Sequence, residues 1–407
     1  MFNVLTIEEA IKAIKENLNI SWEKEEVDLF SALGRVLAED IYGQEYIPGF
    51  TRSTMDGFAV IAADTFGASP SQPAYLRVVG EVKMGEEPAV SLSSEETMKV
   101  WTGGALPTGS DAVVMLEQTE WFDDETIAVL KPVAPGENVI FKGEDVKPGL
   151  KVGAQNSVIR PQDLGIFAGL GINRIPVWQR KKVGIISTGN EVVEPSVKEL
   201  LPGKIRDMNS YTLYGLIQQA GGEATVYGIV QDSFPAIRDA VEKALRENQI
   251  VVLSGGSSVG AKDLTARVLE DLQGFKFLFH GISIKPGKPT LAAVKDNKLV
   301  AGLPGHPVSA MVVFDVIVAP FLLPAVIKRV KHKAVITANV ASSPGRQDFI
   351  RVKLYEEEGI LKAEPILGKS GLISTMVASD GFVTIPLIKE GIAAGETVEV
   401  ELLGGRY

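Results

Sequence analysis

Apolar residues recur at Ile7, Ile11, Ile14 and Leu18, the three-and-four spacing of one helix face, behind a Thr6/Glu9 capping signature. From about Val36 to Phe141 the period changes. Short β-prone runs at Phe58–Ile61, Leu76–Val79, Ala112–Met115 and Ile127–Leu130 alternate with Gly, Pro and acidic turns, which predicts a β-rich region with long loops. From Lys182 to about Leu323 strand and helix signals alternate. Val183–Ser187, Ala224–Ile229, Ile250–Leu253 and Leu299–Ala301 read as strands. Tyr211–Ala220, stopped by Gly221-Gly222, reads as a helix, as do Pro235–Glu247 (Ile237, Val241 and Ala244 on one face) and a segment from Pro307. That alternation predicts a parallel sheet covered by helices on both faces, a doubly wound α/β fold. After Lys328 the β pattern returns at Ala334–Val340, Phe349–Leu354, Phe382–Ile385 and Thr397–Leu402, predicting a small C-terminal barrel or sandwich.

Length and composition narrow this picture. The 407 residues exceed one ordinary core, so two to four domains are expected. The net charge of −10 excludes a bulk electrostatic grip on nucleic acid, so an anionic ligand needs a local cationic cluster. Without any cysteine, the chain has no disulfide, no thiolate nucleophile and no Cys-based metal site, which fits a cytoplasmic location. Met1 to Ile7 lacks a signal-peptide pattern. The stretch Pro307 to Ile327 carries only Asp315 as a charge, but Pro320 and Pro324 break it, so a buried helix is expected and not a membrane span.

Three segments carry candidate chemistry. Ser254-Gly255-Gly256-Ser257-Ser258-Val259-Gly260 follows the strand Ile250–Leu253 and precedes Asp263. Such a glycine-rich strand-to-helix turn either cradles phosphate with backbone N–H groups or is a tight turn without a ligand. Glu191, within Ser187–Glu191, and Asp232 follow two other predicted strands, so three carboxylates stand at strand ends. Each alone reads as a solvated loop acid or helix cap; together with Asp263 they suit Mg2+ bridging phosphate oxygens. In Lys285-Pro286-Gly287-Lys288-Pro289 a rigid frame holds two ammonium groups near one another, suited to an oxyanion or phosphate; the bland reading is a basic surface turn.

Other motifs fail. Ala363–Ser370 fits a permissive phosphate-loop pattern, yet Pro365 removes a needed donor and the surroundings are β-type. No G-x-G-x-x-G follows a strand, His280, His306 and His332 have no metal-ligand spacing, and no nucleophile elbow is present.

The ordered set of motifs resembles the molybdopterin molybdenumtransferase family, which includes the C-terminal domain of gephyrin. The matching stretches are Pro48-Gly49-Phe50 with Ser53–Val60, Thr102–Pro107, Gly143-Glu144-Asp145, Ser187–Glu191, Ser254–Asp263, Lys285–Pro289, Gly302–Ala310 and Pro344–Phe349. The resemblance covers nearly the whole chain and implies four regions. These are an elongated, discontinuous helix-containing N-terminal region (1–47 and 141–180), a β-rich insertion (48–140), a molybdopterin-binding α/β domain (181–327) and a C-terminal β-barrel (328–407). It also implies a homodimer with the active site at the subunit interface, where Asp56, Thr102 and Asp145 face the cleft of the other copy. The implied reaction takes adenylated molybdopterin and molybdate, with Mg2+, to molybdenum cofactor and AMP. Implied partners are the molybdopterin adenylyltransferase and the enzymes that accept the cofactor.

On this footing Glu191, Asp232 and Asp263 are expected to handle Mg2+ or the adenylate, and Lys285 and Lys288 the reacting anion. Ser254, Gly255, Gly256, Ser257, Pro289 and Ser309 are expected to bind substrate, with Arg346, Arg351 and Ser370 from the C-terminal region. Molybdenum in this cofactor is held by soft sulfur, which a chain without cysteine leaves to the substrate. The chain departs from the family pattern at Asn190 (often Asp), at Ile140-Phe141-Lys142 (commonly more basic), and at Gly281 and His306 (Lys and Asn in some members). Two rival expectations stand beside this one. A molybdopterin adenylyltransferase shares only the α/β domain and consumes ATP, and a gephyrin-like dimeric scaffold lacks catalysis.

Overall fold

The computed structural model describes residues 4–255, 264–324 and 330–404. The chain divides into two compact units, Met1–Glu25 with Trp178–Tyr407, and Glu26–Val177.

The first unit is built on a six-stranded sheet. Its strands are β1 (Lys182–Thr188), β2 (Glu223–Val230), β3 (Ile250–Ser254), β4 (Lys276–His280), β5 (Leu291–Lys295) and β6 (Lys298–Leu303), in the order β2-β1-β3-β6-β5-β4. Successive side chains of a strand point to opposite faces, so each strand feeds two cores. Ile185, Val252 and Ala301 face one core with helices α1 (Ile7–Asn17), α2 (Asn209–Gln219) and α5 (Pro307–Val313). Ile186, Val251, Leu253 and Val300 face the other, with α3 (Phe234–Glu247) and α4 (Leu264–Asp271). Both faces are thus covered by helices, as the alternation predicts.

The expected parallel sheet is found in four strands and extended by two antiparallel ones. The four strands β2, β1, β3 and β6 are parallel, but β5 runs antiparallel to β6 and β4 antiparallel to β5. The cause is local. Only Asp296 and Asn297 separate β5 from β6, with φ of 47° and 61°, and a two-residue turn with both central residues left-handed closes an antiparallel hairpin.

Helix α1 joins this unit: Ile7, Ala10, Ile14 and Leu18 lie in the same core as Ile217, Ile282 and Phe314. The resemblance groups these residues with 26–47, which lie in the other unit. The apolar stretch after Pro307 continues from α5 into a wide π turn at Phe314–Val318 and a 3-10 turn at Ala319–Phe321. Among the described residues no helix is long and apolar enough to cross a membrane.

A five-stranded closed barrel follows, made of β7 (Lys331–Ile336), β8 (Gln347–Glu357), β9 (Ile360–Pro365), β10 (Gly381–Ile385) and β11 (Thr397–Leu402). It closes around β8-β9-β7-β11-β10 and back to β8, enclosing Ile336, Val352, Ala363, Val383 and Val400. Ala334–Val340, expected as one strand, is two: β7 ends at Ile336, and Val340–Ala341 pairs separately with Gly391–Ile392.

The second unit holds a six-stranded sheet in the order Ala112–Met115, Gly57–Val60, Glu96–Val100, Ala74–Glu81, Thr126–Val129, Thr119–Trp121. A separate small core gathers Leu37, Ile41, Ile159, Phe167 and Val177.

Candidate functional site

Parallel strands bring their carboxyl ends to one rim, where α/β sheets place ligands. Here β1, β3 and β6 end at Thr188, Ser254 and Leu303. The rim is stitched together. Gly255 N donates to Leu303 O at 3.3 Å, and Asn209 Nδ2 donates to Ser254 Oγ at 2.6 Å and to Gly305 O at 2.8 Å. Gly255 has φ +104°, and a Cβ there would lie 2.3 Å from Thr188 O, so only glycine lets these strand ends close up. Gly256, Ser257 and Asp263 lie outside the described residues.

Beside this rim, between the α/β sheet and the barrel, lies a cleft of about 1230 Å³. Of the expected site residues it gathers Glu191, Gly255, Lys285, Lys288, Pro289, Ser309, Arg346, Arg351 and Ser370 in its walls. Lys369 adds a fifth Lys/Arg side chain, against two carboxylates, Glu191 and Asp348. A chain of net charge −10 therefore presents a locally cationic concavity. Low-dielectric walls focus such a field on an anion.

The rigid basic turn is held by close approach and hydrogen bonding. Gly287 has φ +126°, and a Cβ there would sit 2.4 Å from Val313 Cγ2, so glycine is what allows the turn to lie on α5. Thr290 Oγ1 donates to Gly287 O at 2.7 Å and Ile282 N to Lys288 O at 3.1 Å. Ile284–Lys285 pairs in parallel with the start of β8, placing Lys285 beside Asp348. The Asp348 side chain is fully buried; Arg346 Nε donates to its Oδ1 at 2.9 Å, and Lys285 Nζ lies 3.6 Å from its Oδ2.

The barrel wall has its own support. Arg351 donates to Thr375 Oγ1 at 2.6 Å and to Gly368 O at 2.8 Å, tying down the loop that carries Lys369 and Ser370. Burial pulls its guanidinium below the ordinary arginine value. Two of its donors serve this loop, so Arg351 acts on the wall while Arg346 is the more exposed cation. His306 Nδ1 and Ser370 Oγ are 2.9 Å apart, joining the entry of α5 to the same loop.

Of the acidic candidates, Glu191 stands in the cleft wall, Asp232 is tied to the neighbouring Asn190 outside that lining, and Asp263 lies outside the described residues. Asp232 N donates to Asn190 Oδ1 at 3.1 Å and Asn190 N to Asp232 Oδ2 at 3.3 Å, while Asp232 Oδ1 is buried without a hydrogen-bond partner among the described residues. No three His, Asp or Glu side chains converge as a metal cluster among the described residues. Asp56, Thr102 and Asp145 lie in the second unit, all exposed. Thr102 donates its N–H and its Oγ1 to Asp56 Oδ1 at 2.8 and 2.7 Å, and these bonds, the backbone one foremost, hold the Asp56 carboxyl below the ordinary aspartate value.

Two features of the cleft were not singled out from sequence, the buried Asp348 and the His306–Ser370 contact. Asp348 stands within the quoted Pro344–Phe349 motif, but nothing in the pattern marks a buried carboxylate. The sequence gives His306 no partner, because that partner is 64 residues away.

Three family models match consecutive parts of the chain: the MoeA N-terminal region (domains I and II) at 5–171, a probable molybdopterin binding domain at 184–324, and the MoeA C-terminal region (domain IV) at 333–403. The molybdopterin molybdenumtransferase of Haemophilus influenzae is 34 % identical, with 98 % of each chain covered. That of Bacillus subtilis is 30 % identical over 98 % of this chain and 94 % of its own. The chain belongs to the molybdopterin molybdenumtransferase (MoeA) family. A solved MoeA structure from Pyrococcus horikoshii OT3 superposes with a TM-score of 0.82 at 36 % identity, covering 98 % of this chain and 100 % of that one. In this MoeA family member the cleft forms where two matched regions meet. Glu191, Lys285, Lys288 and Ser309 come from the molybdopterin-binding match, and Arg346, Arg351 and Ser370 from the C-terminal one.

Proposed function

We propose that this chain inserts molybdenum from molybdate into adenylated molybdopterin in the cytoplasm, releasing AMP and forming molybdenum cofactor. The observation that carries this reading is the cationic cleft at the sheet rim of an acidic, cysteine-free chain. A protein without thiolates leaves the soft ligands of molybdenum to the dithiolene of its substrate and contributes charge and position. Lys285, Lys288 and Arg346 bind the oxyanion and phosphate. Charge on these groups is worth most where the transferring phosphoryl and molybdate oxygens crowd together. Ser309 on α5 and Ser370 on the barrel loop packed against its start supply hydroxyl donors, and Gly255 and Pro289 line the space for the adenylated pterin, with Ser254, Gly256 and Ser257 as further proposed contacts.

The donor chemistry fits Mg2+. Glu191 faces the cleft and Asp232 keeps one buried oxygen without a partner among the described residues. Mg2+ is commonly held by one or two carboxylates together with substrate phosphate oxygens. Glu191 and Asp232, joined by Asp263, would hold it, and the ion would neutralise charge on the phosphate. Asp56, Thr102 and Asp145 complete the site from a second copy of the chain in a homodimer.

Incubation of the purified chain with adenylated molybdopterin, Mg2+ and molybdate tests the reading. AMP release that depends on molybdate is expected. Glu191→Gln should slow it by roughly tenfold to a hundredfold, the scale of one lost charged interaction. ATP-dependent adenylation of molybdopterin, with no molybdate-dependent AMP release, would replace this reading with that of an adenylyltransferase.

A further inference from the structure

Asp348 presents a puzzle of sign. A carboxylate in the wall of an anion-binding cleft repels the ligand, and a fully buried one also loses its hydration. Its neighbours resolve the contradiction. One oxygen accepts from Arg346 Nε at 2.9 Å; the other faces Lys285 Nζ at 3.6 Å and Arg346 Nη2 at 3.5 Å. The two cations arrive from different elements. Lys285 comes from the α/β side and Arg346 from the entry to the barrel, and the parallel ladder Ile284↔Gln347, Lys285↔Asp348 fixes their register. Gln347 N also donates to Ser283 O at 2.8 Å in the same junction. Both cations keep part of their side chains exposed, 55 % for Lys285 and 36 % for Arg346, although the carboxylate between them is at 0 %.

We propose that Asp348 is a positioning residue that holds Lys285 and Arg346 as one preformed pair for a tetrahedral oxyanion, an inference that rests on the transferase reading above. Lysine and arginine are long and lose much rotamer freedom when ordered. Anchored from behind by a buried carboxylate, they are ordered before the ligand arrives, and the anion does not bear that cost. One carboxylate against two cations leaves the pair net positive, and each cation retains free donors toward the cleft.

The proposal predicts a direction opposite to simple charge counting. Removing an acid from an anion site should tighten binding if the acid only repels; it should weaken binding if the acid positions the cations. Molybdate is titrated calorimetrically into the full-length wild type and into Asp348→Asn at fixed ionic strength, with circular dichroism and melting confirming the fold. The dissociation constant should rise by about tenfold in the variant, in line with disrupting a charge-assisted pair, with the stoichiometry unchanged. An equal or tighter constant overturns the proposal, and so does reduced stoichiometry at an unchanged constant, the mark of partial misfolding. If Asp348→Asn does not fold, Lys285→Gln, Arg346→Gln and the double variant decide. A preformed pair gives a double loss smaller than the product of the single losses, whereas independent multiplying losses refute it. A wild type that fails to bind molybdate at all overturns the transferase reading first and this inference with it, so the two failures are distinct.

Discussion

Asp56 is an exposed carboxylate whose acidity is set chiefly by Thr102, with a smaller pull from the charge of Lys99. Thr102 gives it two hydrogen bonds on one oxygen, the stronger influence from the backbone N–H and the lesser from the hydroxyl. Both favour the ionised form, so the folded value lies below the unfolded one. The contribution to stability is therefore complete above the unfolded value and fades as pH falls through the folded value. Asp56 thus stays charged throughout the neutral range. Thr102→Val removes the hydroxyl and spares the N–H, so the Asp56 midpoint should rise only part of the way back. An NMR carboxyl titration of both proteins checks this, and an unmoved midpoint would show that the hydroxyl contributes nothing. At this scale the sequence is uneven. Lys285 and Lys288 are legible because Pro286, Gly287 and Pro289 announce a rigid turn. Asp348 is not, because its burial is created by a ladder between segments about 60 residues apart, beyond any local pattern.

Helix α1 shows what local pattern does reveal. Its capping box is realised in full: Glu9 N donates to Thr6 Oγ1 at 3.2 Å and Thr6 N to Glu9 Oε2 at 2.8 Å. Its apolar face buries Ile7, Ala10 and Ile14. What the pattern does not tell is which core receives that face, since any apolar surface of matching shape accepts an amphipathic helix. The face meets Ile282 and Phe314, whose places depend on chain distant in sequence. Ile14, with no exposed surface, should cost about 2–5 kcal/mol when cut to alanine, the range for large-to-small changes in a core. Urea denaturation followed by far-ultraviolet circular dichroism measures it, and a loss below about 1 kcal/mol would mean that α1 is a peripheral attachment. The β5–β6 hairpin carries the opposite lesson. Asp296-Asn297 between Leu291–Val294 and Leu299–Ala301 is a legible two-residue turn, and it marks the antiparallel extension of the parallel sheet in the sequence itself. The same device recurs at Glu358-Gly359, with φ of 53° and 74°, where it creates strand β9.

At the scale of the whole molecule, an acidic chain carries a cationic cleft in one unit and the tuned pair Asp56–Thr102 in the other. If the proposed homodimer completes each cleft with Asp56 of the partner subunit, every site draws on two copies, and a defect on either side disables it. Lys285→Gln and Asp56→Asn should each lose molybdate-dependent AMP release as homodimers. In a mixed dimer, however, one site combines both lesions while the other takes an intact cleft from the Asp56→Asn copy and an intact Asp56 from the Lys285→Gln copy. With random pairing of equal amounts, half the dimers are mixed and one site in each is whole. Unfolding, mixing and refolding the two inactive variants should then restore about one quarter of wild-type activity, a direct consequence of a two-fold interface. A site confined to one chain restores nothing under the same treatment. The restored fraction therefore separates a cleft that is complete in one copy from one that two copies must build, and it does so without any knowledge of the interface itself.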